Sequence, residues 1–165
     1  MEILIFSDAH GRREGMQEAI ARQVGRVDAI FFLGDGLRDA YALDHPSLYA
    51  VRGNCDWFSE ENAPTEIVMS LEGHTILATH GHAYGVKSGR GALIAHAAEV
   101  GADIVLFGHT HQPLSEEIPA GSVIGQRTLT RPMYLFNPGS IGTGGRSFGT
   151  LLLCRDTVLL AHGEL

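Results

Sequence analysis

Five short apolar runs in this chain each break off at a polar motif, and that recurrence restricts the folds open to it. Met1-Glu2-Ile3-Leu4-Ile5-Phe6 has the length and β-branched content of a buried strand, and it stops at Ser7-Asp8-Ala9-His10-Gly11. Asp28 to Leu33 stops at Gly34-Asp35, and Leu48 to Val51 is followed by Gly53-Asn54-Cys55-Asp56. His74 to Thr79 runs into His80-Gly81-His82, and Ile104 to Phe107 into Gly108-His109-Thr110-His111. Helical periodicity separates several of these runs. Met16, Ala19, Ile20 and Val24 make an apolar stripe over Arg12 to Gly25, and a short helix fits Leu37 to Leu43. Leu93, Ile94, Ala97 and Val100 give Gly89 to Val100 a buried side. Glu66 to Leu71 pairs with His74 to Thr79 across the Glu72-Gly73 turn. The remainder reads as strands near Glu116 to Ile118 and Met133 to Phe136, closed by a hairpin of Thr150 to Cys154 with Val158 to Ala161. Helix–strand alternation followed by strands predicts an α/β protein whose sheet becomes mixed or divides in two, and residues 1–165 fit a single domain.

Strand-end loops on one edge of a parallel sheet are neighbours in space although distant in sequence. Asp8, His10, Asp35, Asn54, His80, His109 and His111 can therefore gather at one place. Two carboxylates, a carboxamide oxygen and four imidazoles are too many donors for one tetrahedral zinc. They suit two divalent ions that share a ligand. With sulfur outside this set, manganese, iron or zinc is favoured over copper(I) or a cluster.

Bulk properties exclude other classes. A formal charge of −7 argues against non-specific nucleic-acid binding and against an anionic membrane surface. No apolar stretch nears the roughly 20 residues of a membrane span, and no signal-peptide pattern is present. Cys55 and Cys154 make neither a disulfide framework nor a CxxC knuckle, so a reduced, cytoplasmic protein is expected.

Taken in order, D-x-H, GD, GN, a strand-terminal His and GHTH resemble the calcineurin-like metallophosphoesterase superfamily. Gly53-Asn54-Cys55-Asp56 and Asn137-Pro138-Gly139-Ser140 resemble its small bacterial and archaeal phosphodiesterase branch, which also contains the retromer scaffold subunit. The resemblance spans residues 3 to about 142. It implies an α/β, four-layer α-β-β-α sandwich of two mixed sheets flanked by helices. It also implies that Asp8, His10 and His111 hold one metal, that Asn54, His80 and His109 hold a second, and that Asp35 bridges them. Manganese ranks first for both ions, with iron, zinc, nickel and magnesium as alternatives. The implied reaction is hydrolysis of a small soluble phosphodiester by a hydroxide bridging two ions about 3.5–4 Å apart. Two divalent ions balance Asp8, Asp35, one hydroxide and one diester monoanion, which permits a diester without excluding a monoester.

Much of the superfamily carries a histidine where this chain has Cys55, and the resemblance implies for that position a group that helps protonate the leaving group or steadies the transition state. Cys55 is a weak donor, so His82 is a second candidate for that task. The catalytic candidates are Asn54, Cys55 and His82, and the substrate-binding candidates are Asn54, Lys87 and Arg90. Asp56 reads as structural, able to hydrogen-bond the nearby loop or an adjacent histidine, and Asn137 to Ser140 as a tight turn that closes the site. His45, His74, His96 and His162 read as surface or helix-face residues, and Trp57 and Phe58 as side chains packed at the pocket mouth. A non-catalytic protein-interaction scaffold on the same fold is the second reading, ranked lower because every ligand position is filled. A phosphomonoesterase or nuclease ranks below both. The expected partner is a small-molecule phosphodiester, without membrane or nucleic acid, and a homo-oligomer is compatible with the sequence.

Overall fold

The computed structural model describes residues 1–165. The first half builds β1 (Glu2–Phe6), α1 (Arg13–Ala21), β2 (Ala29–Phe32), α2 (Leu37–Tyr41), β3 (Leu48–Ala50), β4 (Glu66–Leu71) and β5 (His74–Thr79). After a single 3-10 turn at His82–Tyr84 come α3 (Gly91–Val100), β6 (Ile104–Phe107) and β7 (Leu114–Ile118). The small hairpin of β8 (Val123–Ile124) and β9 (Arg127–Thr128) precedes β10 (Met133–Asn137), β11 (Ser147–Cys154) and β12 (Thr157–Glu164). One five-stranded sheet has the order β12-β11-β1-β2-β3, and the other has β4-β5-β6-β10-β7. In the first, β1, β2 and β3 run parallel while β11 and β12 run antiparallel. In the second, β5, β6 and β10 are parallel and flanked by antiparallel β4 and β7.

Strand alternation explains the layers. Successive side chains point to opposite faces, so β1 sends Ile3 and Ile5 one way and Leu4 and Phe6 the other. Ile3, Ile5, Phe31 and Leu33 meet Ile76, Ala78, Ile104 and Leu106 in the core between the two sheets. Leu4, Phe6, Ile30 and Phe32 pack outward on Met16 and Ala19 of α1 and on Leu37 and Ala40 of α2. Leu77 and Val105 pack against Leu93 and Ala97 of α3 on the far side. Each of these strands is apolar on both faces because each lies between two layers. The result is the α-β-β-α sandwich, with helices on both outer faces.

The differences from expectation are local. α1 ends at Ala21, so Val24 lies beyond it and is fully exposed (106 %), off the apolar stripe. β8 and β9 were not anticipated, since two-residue strands carry no period. His74 is buried instead of superficial, with Nδ1 2.7 Å from Asp103 Oδ2. That pair sits where β5 and β6 begin, at the opposite sheet edge from the motifs. His96 pairs with Glu66 at 3.2 Å and stacks on Tyr84. Trp57 and Phe58 are exposed (74 % and 100 %) instead of packed, and Phe58 lines a cavity beside Cys55 and Asp56. No helix is long and apolar enough to cross a membrane.

Candidate metal centre

The polar motifs stand at the C-terminal ends of parallel strands from both sheets. Asp8 and His10 follow β1, Asp35 follows β2, and Asn54 follows β3 in the first sheet. His80 follows β5, and His109 and His111 follow β6 in the second. Asp8, His10, Asp35, His109 and His111 all adopt left-handed backbone, with φ of 56, 46, 61, 67 and 58°. Non-glycine residues seldom do so, and Asp and His tolerate it better than most. Such strained residues collect where function over-determines the backbone. Glycine is required close by for space. A Cβ at Gly53 would overlap the Asp35 carboxylate, and one at Gly108 would overlap the Ser7 hydroxyl.

The donor atoms converge. Asp8 is fully buried, and its Oδ2 accepts hydrogen bonds from Ser7 Oγ at 2.5 Å and His109 N–H at 3.2 Å. Its other oxygen, Oδ1, is buried without a hydrogen-bond partner. Around that oxygen lie His111 Nε2 at 3.0 Å, His10 Nε2 at 3.7 Å and His80 Nε2 at 4.0 Å. His10 Nε2 and His111 Nε2 are 3.4 Å apart. Ligands bound at about 2.0–2.2 Å to one tetrahedral ion lie about that far from one another. Asp8, His10 and His111 form one group able to hold a cation, and Asp8, Asp35 and His80 form another. On the second side, His80 Nε2 is 3.0 Å from Asn54 Oδ1 and 3.4 Å from Asp35 Oδ2. His80 Nδ1 donates to the Leu33 carbonyl at 2.6 Å, which fixes the tautomer and frees Nε2 to face inward. The His109 ring stacks edge-on to His80, with centroids 5.0 Å apart.

An orphaned buried carboxylate oxygen ringed by imidazole nitrogens fits a divalent cation, and so does the nitrogen and oxygen chemistry of the set. The crowded donors perturb one another's charges. Burial alone raises the Asp35 carboxyl, but the hydrogen bond and charge of His80, with the Cys55 amide, hold it well below the usual carboxylate range. Burial lowers His80, and the hydrogen bond to Asp35 with the charges of Asp8 and Asp35 outweighs it and raises the imidazole. His109 is pushed down to about 4 by burial and by the positive charges of His80 and Lys87. Burial and then the His80 charge lower His82. Burial, with Asp35, Asp56 and Asp8, pushes the Cys55 thiol up to about 11.

Residues without donors in the centre build its walls. The Asp56 carboxylate accepts the backbone N–H groups of Asp35 (2.8 Å), Gly36 (2.9 Å), Leu37 (3.1 Å) and Gly53 (2.8 Å). Ser140 Oγ donates to the Asp8 carbonyl at 2.9 Å, and Asn137 Nδ2 to the Gly108 carbonyl at 2.9 Å. Asp56 thus bonds the nearby loops, the structural role its sequence position suggests, while the backbone partners of Asn137 and Ser140 have no sequence signature. Thr143, which no motif marks, places Oγ1 3.3 Å from His111 Nδ1. Of the remaining candidates, Cys55 N–H donates to Asp35 Oδ1 at 2.7 Å. The His82 ring lies 5.4 Å from His80 and 6.1 Å from His109 between centroids. Lys87 and Arg90 line an adjoining cavity of about 420 Å³, together with Phe107 and Thr110. Arg90 is not free within it, because it pairs with Glu116 at 2.5 Å.

The calcineurin-like phosphoesterase superfamily domain matches residues 1–157. A Bacillus subtilis protein named probable metallophosphoesterase YsnB is 35 % identical over 144 residues, 86 % of this chain and 75 % of that protein. Phosphodiesterase YfcE of Escherichia coli is 32 % identical over 113 residues, 62 % of this chain and 50 % of that protein. The fold matches the crystal structure of Entamoeba histolytica Vps29 complexed with zinc, at a TM-score of 0.72 and 18 % identity over 99 % of each chain. Motif order, sandwich and match over nearly the whole length agree, and the chain belongs to the calcineurin-like phosphoesterase superfamily as a metallophosphoesterase.

Proposed function

We propose that this site holds two divalent ions and hydrolyses a small phosphodiester. Asp8, His10 and His111 would hold one ion, Asn54, His80 and His109 the other, and Asp35 both. The observation that carries the reading is Asp8 Oδ1, buried and unpartnered, with the facing His10 and His111 nitrogens 3.4 Å apart. When bound, the ions would activate water and withdraw charge from the phosphoryl oxygens. The chain's own residues set the geometry for that chemistry. Leu33 orients His80 through its carbonyl, and Ser7 with the His109 amide holds the outer oxygen of Asp8 so that the inner one faces the centre. The Asn54 carboxamide lies at the open side, where it can also meet a phosphoryl oxygen. Lys87 offers positive charge in the adjoining cavity, and Arg90 would do so on release from Glu116. His82 is the first candidate to hand a proton to the leaving group, and Cys55 would do so only while its thiol stays uncoordinated.

Two features favour a diester. Charge balances with a monoanionic substrate, and the similar E. coli protein is named a phosphodiesterase. With nitrogen and oxygen donors alone, manganese ranks first among the metals, and a sulfur donor would move that ranking toward zinc. The test is hydrolysis of bis-p-nitrophenyl phosphate by metal-stripped protein with and without added manganese. Manganese should stimulate turnover, and Asp35→Ala or His80→Ala should abolish it. Equal rates with manganese and with chelator would overturn the proposal and favour a non-catalytic scaffold.

A further inference from the structure

We propose that Cys55 is a sulfur ligand in this centre, so that the ion held by His10 and Asp35 is a thiophilic one such as zinc. This rests on the two-ion reading of the site. The Cys55 sulfur, a His10 ring nitrogen and an Asp35 carboxylate oxygen all lie within 4.8 Å of one another. Zinc bonds of about 2.3 Å to sulfur and 2.0–2.2 Å to nitrogen and oxygen set donors roughly 3.5 Å apart. The remaining distance is closed by side-chain rotation, because His10 and Cys55 are both exposed while Asp35 is buried and fixed.

The sulfur is held on the inner side of its loop. Asn54 Nδ2 donates to Cys55 Sγ at 3.4 Å, and Cys55 N–H donates to Asp35 Oδ1 at 2.7 Å. Asp56 clamps the same loop through Gly53 N–H at 2.8 Å. His10 also faces Asp8 and His111, so Cys55 adds a sulfur donor to a nitrogen and oxygen set that is otherwise hard to intermediate. A thiolate prefers zinc over manganese, whereas carboxylates and imidazoles discriminate less. As the metal–sulfur bond forms, the thiol proton leaves to solvent and nothing is oxidised or reduced. Cys55 thereby sorts ions by softness.

Cobalt(II) substitution tests this without relying on turnover. Metal-stripped Cys154→Ser protein, which removes the other exposed thiol, is titrated with cobalt and followed by absorption spectroscopy. The expected result is visible d–d bands together with a near-ultraviolet sulfur-to-cobalt charge-transfer band. Adding Cys55→Ser or Cys55→His should remove the charge-transfer band and leave the d–d bands. By calorimetry, Cys55→Ser should weaken zinc binding at least about tenfold, the lower end of what even an outer-shell partner supplies. Manganese binding should change much less. Cobalt d–d bands without charge transfer, or equal losses for zinc and manganese, would overturn the sulfur ligand while leaving the two-ion centre standing. Absence of any cobalt band would overturn both.

Discussion

At the scale of single residues, Asp56 organises the centre without offering it a donor atom. Its carboxylate gathers four backbone N–H groups from the loops after β2 and β3, the loops that present Asp35 and Asn54. Hydrogen bonds to a charged acceptor contribute about 1.5–3 kcal/mol each, and they are not additive. Asp56→Asn keeps the shape but turns one acceptor into a donor facing N–H groups. It should lower stability by about 2–4 kcal/mol and the melting temperature by roughly 4–16 °C. Thermal unfolding checks this, and an unchanged midpoint would mean that the loops hold themselves. The candidate ligands were readable in the sequence because their types and order are chemical statements. The Asp56 clamp was legible only as a carboxylate able to bond a nearby loop, because its four partners are amides that every residue carries. The left-handed backbone at Asp8, His10, Asp35, His109 and His111 was not legible, since the tertiary structure imposes it on residues that merely tolerate it.

At the scale of elements, periodicity found the long strands and helices and failed where elements are short. β4, β5 and β6 begin and end where the apolar runs do. β8 and β9 have two residues each, too few to show alternation, and α1 stops before Val24 because Arg22 already closes its last turn. The link between the start of α3 and β7 was also invisible, since an ion pair between residues 26 positions apart has no sequence signature. That link bears on substrate binding. Arg90 and Glu116 are each about one-third exposed, and such pairs contribute little stability. If Arg90 meets the substrate, Arg90→Ala should raise KM by about tenfold or more, the loss of one charged hydrogen bond. Glu116→Ala, which frees the guanidinium, should leave KM unchanged or lower it. Parallel increases in both variants would mean that the pair acts only by holding α3 to β7.

At the scale of the whole molecule, the two sheets touch through apolar side chains along their length and through the centre at one edge. Each proposed ion draws ligands from both sheets. Asp8 and His10 of the first sheet would share an ion with His111 of the second, and Asn54 of the first would share one with His80 and His109 of the second. On the proposed ligand sets, metal would be a cross-link between layers as well as a reagent. Without it, Asp8 and Asp35 stand buried in one small space, with Asp8 Oδ1 lacking a hydrogen bond, an arrangement that favours opening of that edge. A ligand that binds only the folded state at 100 times its dissociation constant stabilises by about 2.7 kcal/mol. For a chain of this size that amounts to roughly 5–11 °C in melting temperature. Calorimetric scans in excess manganese should therefore melt higher than scans in chelator by about that margin. Asp35→Ala, which removes the residue shared by both ions, should melt at one temperature in both conditions. A wild-type midpoint indifferent to metal would mean that the sheets are held by their apolar core alone, and the cross-link would have to be abandoned even if turnover remained metal-dependent.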